Sequence, residues 1–456
     1  MKIILSLVLT FLVSRGNCAE PAKFNPDHTA FLTLLSKFST DTVGKFWPGF
    51  KLLADPMLVY FEEDGQSLLV GHPKPPAGFT AVPGVVTVHY SESFPRQVNG
   101  RFITQHPIGG VPTNVFVLPR AYNATEELAF MAHEVFHTYQ HKSFKANRPR
   151  SCDAGAEPLA LMFMENYLAA KMLLFPGDTG LIRDFLAIRD QKYSLAPDCV
   201  KEDFLEVSEG TAKYVEMLSL GVNSAGPAGA ADSLSQIRDY AHSPDGVRHA
   251  RAYHNGAALC FALEANVPRW QKEIENGRGQ WEVLKDKFSV RRDLPALYKK
   301  YDFEGFMRRA QADVKTAELG REALQKEINS YGGYKVRLVS SRGEMSINYT
   351  ASRTRKAGKY SLLELRTVLL ADACQKLSAE NIHLVDDGVS GLVFQIGPLP
   401  PSMKADNKLI PLDSDFSGKV LKAEIDGKNF SLSISCGATI RVKGREITVE
   451  VDKNAR

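Results

Sequence analysis

Apolar positions along the chain change period twice. Residues 20–122 mix helical and extended patterns. An amphipathic stretch, HTAFLTLLSKF (28–38), comes first. Short β-rich runs follow: PMLVYF (56–61), SLLVGH (67–72), VVTVHY (85–90) and TNVFVLP (113–119), separated by Pro and Gly. From 124 to about 330 the period is almost wholly helical. Leu128, Met131, Ala132, Val135 and Tyr139 fall on one face of a helix that Thr125 is placed to cap, with Glu126 and Glu127 in its first turn. Further helices are predicted over 157–175, 179–194, 201–220, 247–265 and 303–330. The Gly/Ala-rich segment 221–232 reads as a loop. After Tyr331-Gly-Gly the pattern becomes strands and turns. One helix is predicted at about 361–379, and the basic run 353–358 reads as a solvated loop. Asp426-Gly427 and Lys443-Gly444 are the expected hairpin turns.

The pattern gives an α+β chain. Its expected parts are a removable leader (1–19), a mixed α/β part (20–122), a helical region (123–332) and a β-rich accessory domain (333–456). At 44% hydrophobic and 24% charged, the chain has enough apolar residues for a packed core. The net charge of +4 gives no argument for a nucleic-acid partner.

Lys2 followed by the apolar run at 3–13 and small residues up to Ala19 has the form of a secretory signal. No later run is long enough for stable membrane insertion. The expected location is secreted or periplasmic, where disulfides persist. Removing residues 1–19 leaves five of the six cysteines. Cys152 with Cys199 and Cys374 with Cys436 are the expected pairs, each within one part. Cys260, in an apolar helical run, reads as a buried free thiol.

The chemistry concentrates at His133-Glu134-Val135-Phe136-His137. Two histidines at i and i+4 project from one helical face, about 6 Å apart. That spacing lets both imidazoles bind one zinc ion, and Glu134 beside them can take a proton from water at the metal. A catalytic zinc takes three protein ligands, so a third must come from elsewhere. His141 lies at i+8 and drifts off the face. Asp153, Glu157, Glu165 and Glu209 are the candidate carboxylates. Glu165 sits among apolar residues, so it reads instead as the partner of Arg183 or Arg189, or as an acceptor for a ligand histidine.

The run Glu209-Gly210-Thr211-Ala212, downstream of HExxH, resembles the gluzincin group of HExxH zinc metallopeptidases. The resemblance covers roughly residues 113–265. It implies His133, His137 and Glu209 as ligands of one Zn2+ and Glu134 as general base. Small residues after Glu209 would let its helix approach the HExxH helix. TNVFVLP would be an edge strand that pairs with an extended peptide or protein substrate. Tyr253 or His254, in RAYHNG (251–256), would stabilise the oxyanion. A Cys152–Cys199 bridge would tie the HExxH helix to the Glu209 helix, contributing about 4 kcal/mol in the chain-entropy model. The implied function is hydrolysis of peptide bonds. The alternatives are a non-catalytic binding scaffold on a degenerate peptidase fold and a zinc amidase acting on cell-wall peptides.

Overall fold

The computed structural model describes residues 25–41, 46–82, 87–92, 94–96, 100–145, 155–221, 244–290, 293–340, 348–357, 360–371, 375–386, 392–435 and 437–451. The leader, the 222–232 segment, Cys152, Asp153, Cys374 and Cys436 lie outside them. The chain forms two compact units, Met1–Gln311 and Ala312–Arg456. The division falls inside a long helix, upstream of the expected boundary at 332/333.

The first unit opens with α1 (Pro26–Asp41) and strands β1 (Met57–Phe61), β2 (Ser67–Val70), β3 (Thr80–Ala81), β4 (Val88–Ser91), β5 (Phe102–Ile108) and β6 (Val111–Leu118). They form one sheet in the order β3-β4-β2-β1-β6-β5. Leu58, Leu69, Ile108, Val115 and Val117 make one apolar cluster. Met57, Val59, Phe61, Leu68, Phe116 and Leu118 are buried too. Burial of alternate positions on both faces explains why these strands read as continuous apolar runs.

The edge-strand expectation is overturned. β6 pairs with β1 in parallel and with β5 antiparallel, so it is interior. The sheet edge on that side is β5, whose mixed composition gave no strand signal. Its pairing is irregular between Ile103 and His106, with Gln105 at φ 55°.

Helices follow: α2 (Ala124–Ser143), α3 (Ala156–Leu174), α4 (Thr179–Leu195), α5 (Cys199–Leu205), a π turn (Glu206–Gly210), α6 (Thr211–Ser219), α7 (Pro244–Asn266), α8 (Gln271–Glu275), α9 (Gln280–Lys287), α10 (Leu294–Lys300) and α11 (Phe303–Ser330). The cap of α2 is Asn123, not Thr125. Its Oδ1 accepts from the N–H groups of Thr125 (3.0 Å) and Glu126 (3.5 Å), satisfying two of the helix's orphan donors. The far end of α2 is held by Glu275, which accepts from Trp47 Nε1 (3.0 Å) and from the Tyr139 hydroxyl (2.8 Å). Cys199 is buried, and Cys260 is a buried free thiol. Among the described residues no helix is long and apolar enough to cross a membrane.

The second unit is β-rich: β7 (Tyr334–Ser340), β8 (Asn348–Ala357), β9 (Tyr360–Ala371), β10 (Gln375–Asp386), β11 (Leu392–Gly397), β12 (Ser402–Ala405), β13 (Lys408–Leu409), β14 (Phe416–Val420), β15 (Ala423–Gly427), β16 (Phe430–Ile434), β17 (Ala438–Lys443) and β18 (Glu446–Val451). They form a half-barrel in one sheet, antiparallel except where β18 meets β7. The helix expected at 361–379 is absent. β9 and β10 run through it as a hairpin, and the basic run enters β8. Leucine-rich segments favour helix intrinsically, but long-range strand pairing overrides that preference. The hairpin turns also shift. Gly427 pairs with Phe430, leaving Lys428-Asn429 as the loop. Lys443 pairs with Glu446, so Gly444, at φ 58°, turns the chain with Arg445. Buried alternation at Ala423, Ile425, Phe430, Leu432 and Ile434 fixes this register.

Candidate metal centre

The first half of the site comes from α2, where His133 and His137 stand one turn apart. Their Nε2 atoms approach to 3.2 Å. The second half is Glu209, carried by the π turn. Its Oε2 lies 3.7 Å from His133 Nε2 and 3.4 Å from His137 Nε2. Three donor atoms thus form a triangle with edges of 3.2, 3.4 and 3.7 Å. Ligand atoms about 2.0–2.1 Å from a tetrahedral zinc sit about 3.3–3.4 Å from one another. The triangle matches that spacing, and these three residues form a possible metal-binding group among the described ones.

The hydrogen bond behind His137 sets which of its nitrogens faces inward. Gln140 donates through Nε2 to the Ser208 carbonyl (2.8 Å) and to Thr211 Oγ1 (2.6 Å). The carbonyl can only accept, so the amide orientation is fixed and Oε1 faces His137 Nδ1 at 2.8 Å. His137 Nδ1 therefore carries the proton, and its Nε2 presents a lone pair. His133 Nδ1 is buried and lies 3.0 Å from Glu216 Oε2. In its neutral form with a proton there, His133 would also present its Nε2 lone pair inward. Two imidazole nitrogens and a carboxylate oxygen converge, an arrangement that suits a cation or a shared proton between them.

The titration shifts follow. Burial alone would lower His133, but its hydrogen bonds to Glu209 and Glu216 outweigh that and raise it to about 9. Burial would raise Glu209, yet the two imidazoles hold it well below the usual carboxylate range. Glu134 is half-buried beside the pair. Burial pushes its carboxyl up, while His133 and His137 pull it back.

Tyr253, on α7, stacks on His133 with ring centroids 5.7 Å apart and planes 14° apart. Burial pushes its phenol up, and the adjacent charge of Glu209 and a hydrogen bond to it push it further. His254 is 3% exposed. One residue along a helix turns about 100°, so its side chain leaves α7 at a different angle from that of Tyr253. Tyr253, one of the two oxyanion candidates, thus stands against the triangle.

A buried charge cluster holds these elements. Arg189 on α4 makes a two-pronged contact with Glu206 (2.7 and 2.8 Å) and reaches Glu165 on α3 (3.1 Å). Lys192 bridges Glu165 (2.9 Å) and Asp203 on α5 (2.7 Å). Arg251 on α7 contacts Asp203 (2.7 Å) and Glu165. All six side chains are at most 2% exposed, three cations against three carboxylates. Such a pairing offsets the desolvation of each member. Glu206 precedes Glu209 by three residues and Arg251 precedes Tyr253 by two, so the cluster clamps the backbone on both sides of the site. Glu165 is thereby accounted for as the partner of Arg189, and Glu157 is exposed at the start of α3.

The small-residue expectation holds at Thr211, whose Oγ1 meets Gln140 of the HExxH helix at 2.6 Å, but not at Gly210. Gly210 faces α7, not the HExxH helix: a Cβ on it would meet Gly256 Cα at 2.3 Å. Sequence reasoning also missed Gln140 and Glu216. Gln140 follows His137 by three residues and Glu216 follows Glu209 by seven, spacings that share a helical face.

No family model, curated protein or solved structure matches this chain.

Proposed function

We propose that the chain is an exported zinc-dependent peptidase, with His133, His137 and Glu209 holding the metal. The observation that carries this reading is the convergence of two imidazole Nε2 atoms and one carboxylate oxygen at tetrahedral-ligand spacing. Bound there, zinc would supply a Lewis acid and lower the pKa of water towards neutrality.

The remaining work falls to side chains. Glu134 stands beside both ligand histidines with a carboxyl raised by burial. That environment suits a group that accepts a proton from the attacking water and passes it to the leaving amine. The Tyr253 hydroxyl, beside Glu209, is placed to donate to the oxygen that becomes negative as water adds to the peptide carbonyl. The metal-free protein spends that donor on Glu209, and substrate would compete for it. Lys2 and the apolar run at 3–13 support export, and the β-rich unit is read as an accessory domain.

The test is metal content of the mature protein beside His137→Ala, with cleavage of an unbiased peptide library. One zinc per chain, lost in the variant, with chelator-sensitive cleavage, is the expected result. A wild type that holds no metal after zinc reconstitution overturns the reading. Bound zinc with no hydrolysis leaves a binding scaffold.

A further inference from the structure

We infer that Gln280, at the start of α9, is a positioning residue for Glu209. It acts through the backbone, by holding the π turn that carries the carboxylate. The inference rests on the metal-site reading for its effect on zinc, whereas the grip on the turn stands without it.

A π turn displaces the backbone donors of an α-helix, so its carbonyls call for others. Here three successive carbonyls are met by side chains. Gln280 Nε2 donates to Glu206 (2.9 Å), Thr211 Oγ1 to Val207 (2.7 Å) and Gln140 Nε2 to Ser208 (2.8 Å). Glu206 and Ser208 are roughly half a helical turn apart, so their carbonyls leave the segment on opposite sides. The HExxH helix takes one through Gln140, and α9 takes the other through Gln280. The turn is pinned between them, and Glu209 is the residue that follows.

Gln280 is retained against a penalty. It is 0% exposed, and its Oε1 has no hydrogen-bond partner among the described residues. An apolar side chain of the same length would avoid that cost. The approach to the turn is also built. Gly256 on α7 carries no Cβ to block the Glu206 oxygen, and Gly279 carries none to block the ring of Trp281. Trp281 packs edge-on against Phe204, with centroids 5.3 Å apart, two residues before Glu206. The Arg189 guanidinium lies 5.6 Å from the Trp281 ring centre. Gln280 is thus aimed by the residues on either side of it.

The test is Gln280→Met in the mature protein, which keeps length and burial and removes the donor. Its metal-free melting temperature should change little, because the unpaired oxygen leaves with the amide. Hydrogen exchange of the backbone amides of 209–212 in the metal-free protein should speed up severalfold. The dissociation constant for zinc should rise about 10-fold, and the Co(II) absorption bands should move as Glu209 approaches the metal at another angle. Gln280→Asn, which withdraws the amide by one methylene, serves the same comparison if the Met variant does not fold. Tyr301→Phe, which removes a hydrogen bond to Asp184 elsewhere in the unit, should leave the zinc constant at wild type. Wild-type exchange, zinc constant and Co(II) bands in a folded Gln280 variant overturn the inference, as does an equal loss of zinc affinity in Tyr301→Phe. Failure of the wild type to bind zinc would instead sink the metal-site reading, and the exchange comparison then decides the role of Gln280.

Discussion

Gly210 and Gly256 meet backbone to backbone where the segment carrying Glu209 crosses the helix carrying Tyr253. A Cβ on Gly210 would lie 2.3 Å from Gly256 Cα, and one on Gly256 would lie 2.6 Å from the Glu206 carbonyl oxygen. Neither neighbour is a side chain that can swing away. Gly210→Ala and Gly256→Ala should each cost about 3 kcal/mol or more by overpacking, read from the denaturation midpoint. Because the crossing sets Glu209 against Tyr253, zinc affinity should fall in the same variants.

Glu134→Gln separates chemistry from binding. The amide keeps the shape of the side chain but cannot accept a proton. Zinc content should stay at the wild-type level while kcat drops by about 10²–10⁴. Retention of full activity in a zinc-loaded variant would remove Glu134 from the mechanism.

Tyr253→Phe and His254→Gln discriminate the two oxyanion candidates. Loss of the phenol should lower kcat by about 10²–10³ with metal content unchanged. His254→Gln alters a buried position and should lower thermal stability, leaving the peptide hydrolysis proposed for the folded protein near wild type. The opposite pattern would exchange their roles.

The buried charge cluster predicts an acid limb. Burial would raise Glu165 and Asp203, but Arg251, Arg189 and Lys192 outweigh it and hold both below the usual carboxylate range. Their folded pKa values are depressed, so the stability they contribute is present above about pH 4 and lost as pH falls further. Glu206, pushed up by burial, works in the opposite direction. The metal-free melting temperature should decline below about pH 4. Asp203→Asn should cost about 3–5 kcal/mol near neutrality and flatten that limb, since the cations then lose their counter-charge at every pH.

Much of the site was legible because its signals are local. HExxH is a five-residue helical spacing, and Glu209 stands in a recognisable run. Most long helices fell where the period placed them, α3, α4 and α11 among them. What escaped depends on partners distant in sequence. β6 reads as any β-branched strand, and nothing in 111–118 tells that β1 and β5 occupy both sides of it. The leucines of β9 satisfy a helical count until β8 and β10 pair with them. Glu165 announced itself as an acid among apolar residues, but Lys192, Asp203 and Arg251 became partners only through the packing of α3, α4, α5 and α7. Gln140 shares a helical face with His137, but its role depends on the Ser208 carbonyl 68 residues away.

The π turn has a bearing on how this segment can change. It carries one residue more than an unbroken α-helix would need. That residue sets the angle between Glu206, which belongs to the charge cluster, and Glu209, which belongs to the triangle. Deleting it would restore a regular helix and rotate everything downstream by about 100° relative to everything upstream. Either the cluster or the triangle would then lose its carboxylate. Substitutions can be tried here one at a time, but the segment's length is constrained from both ends.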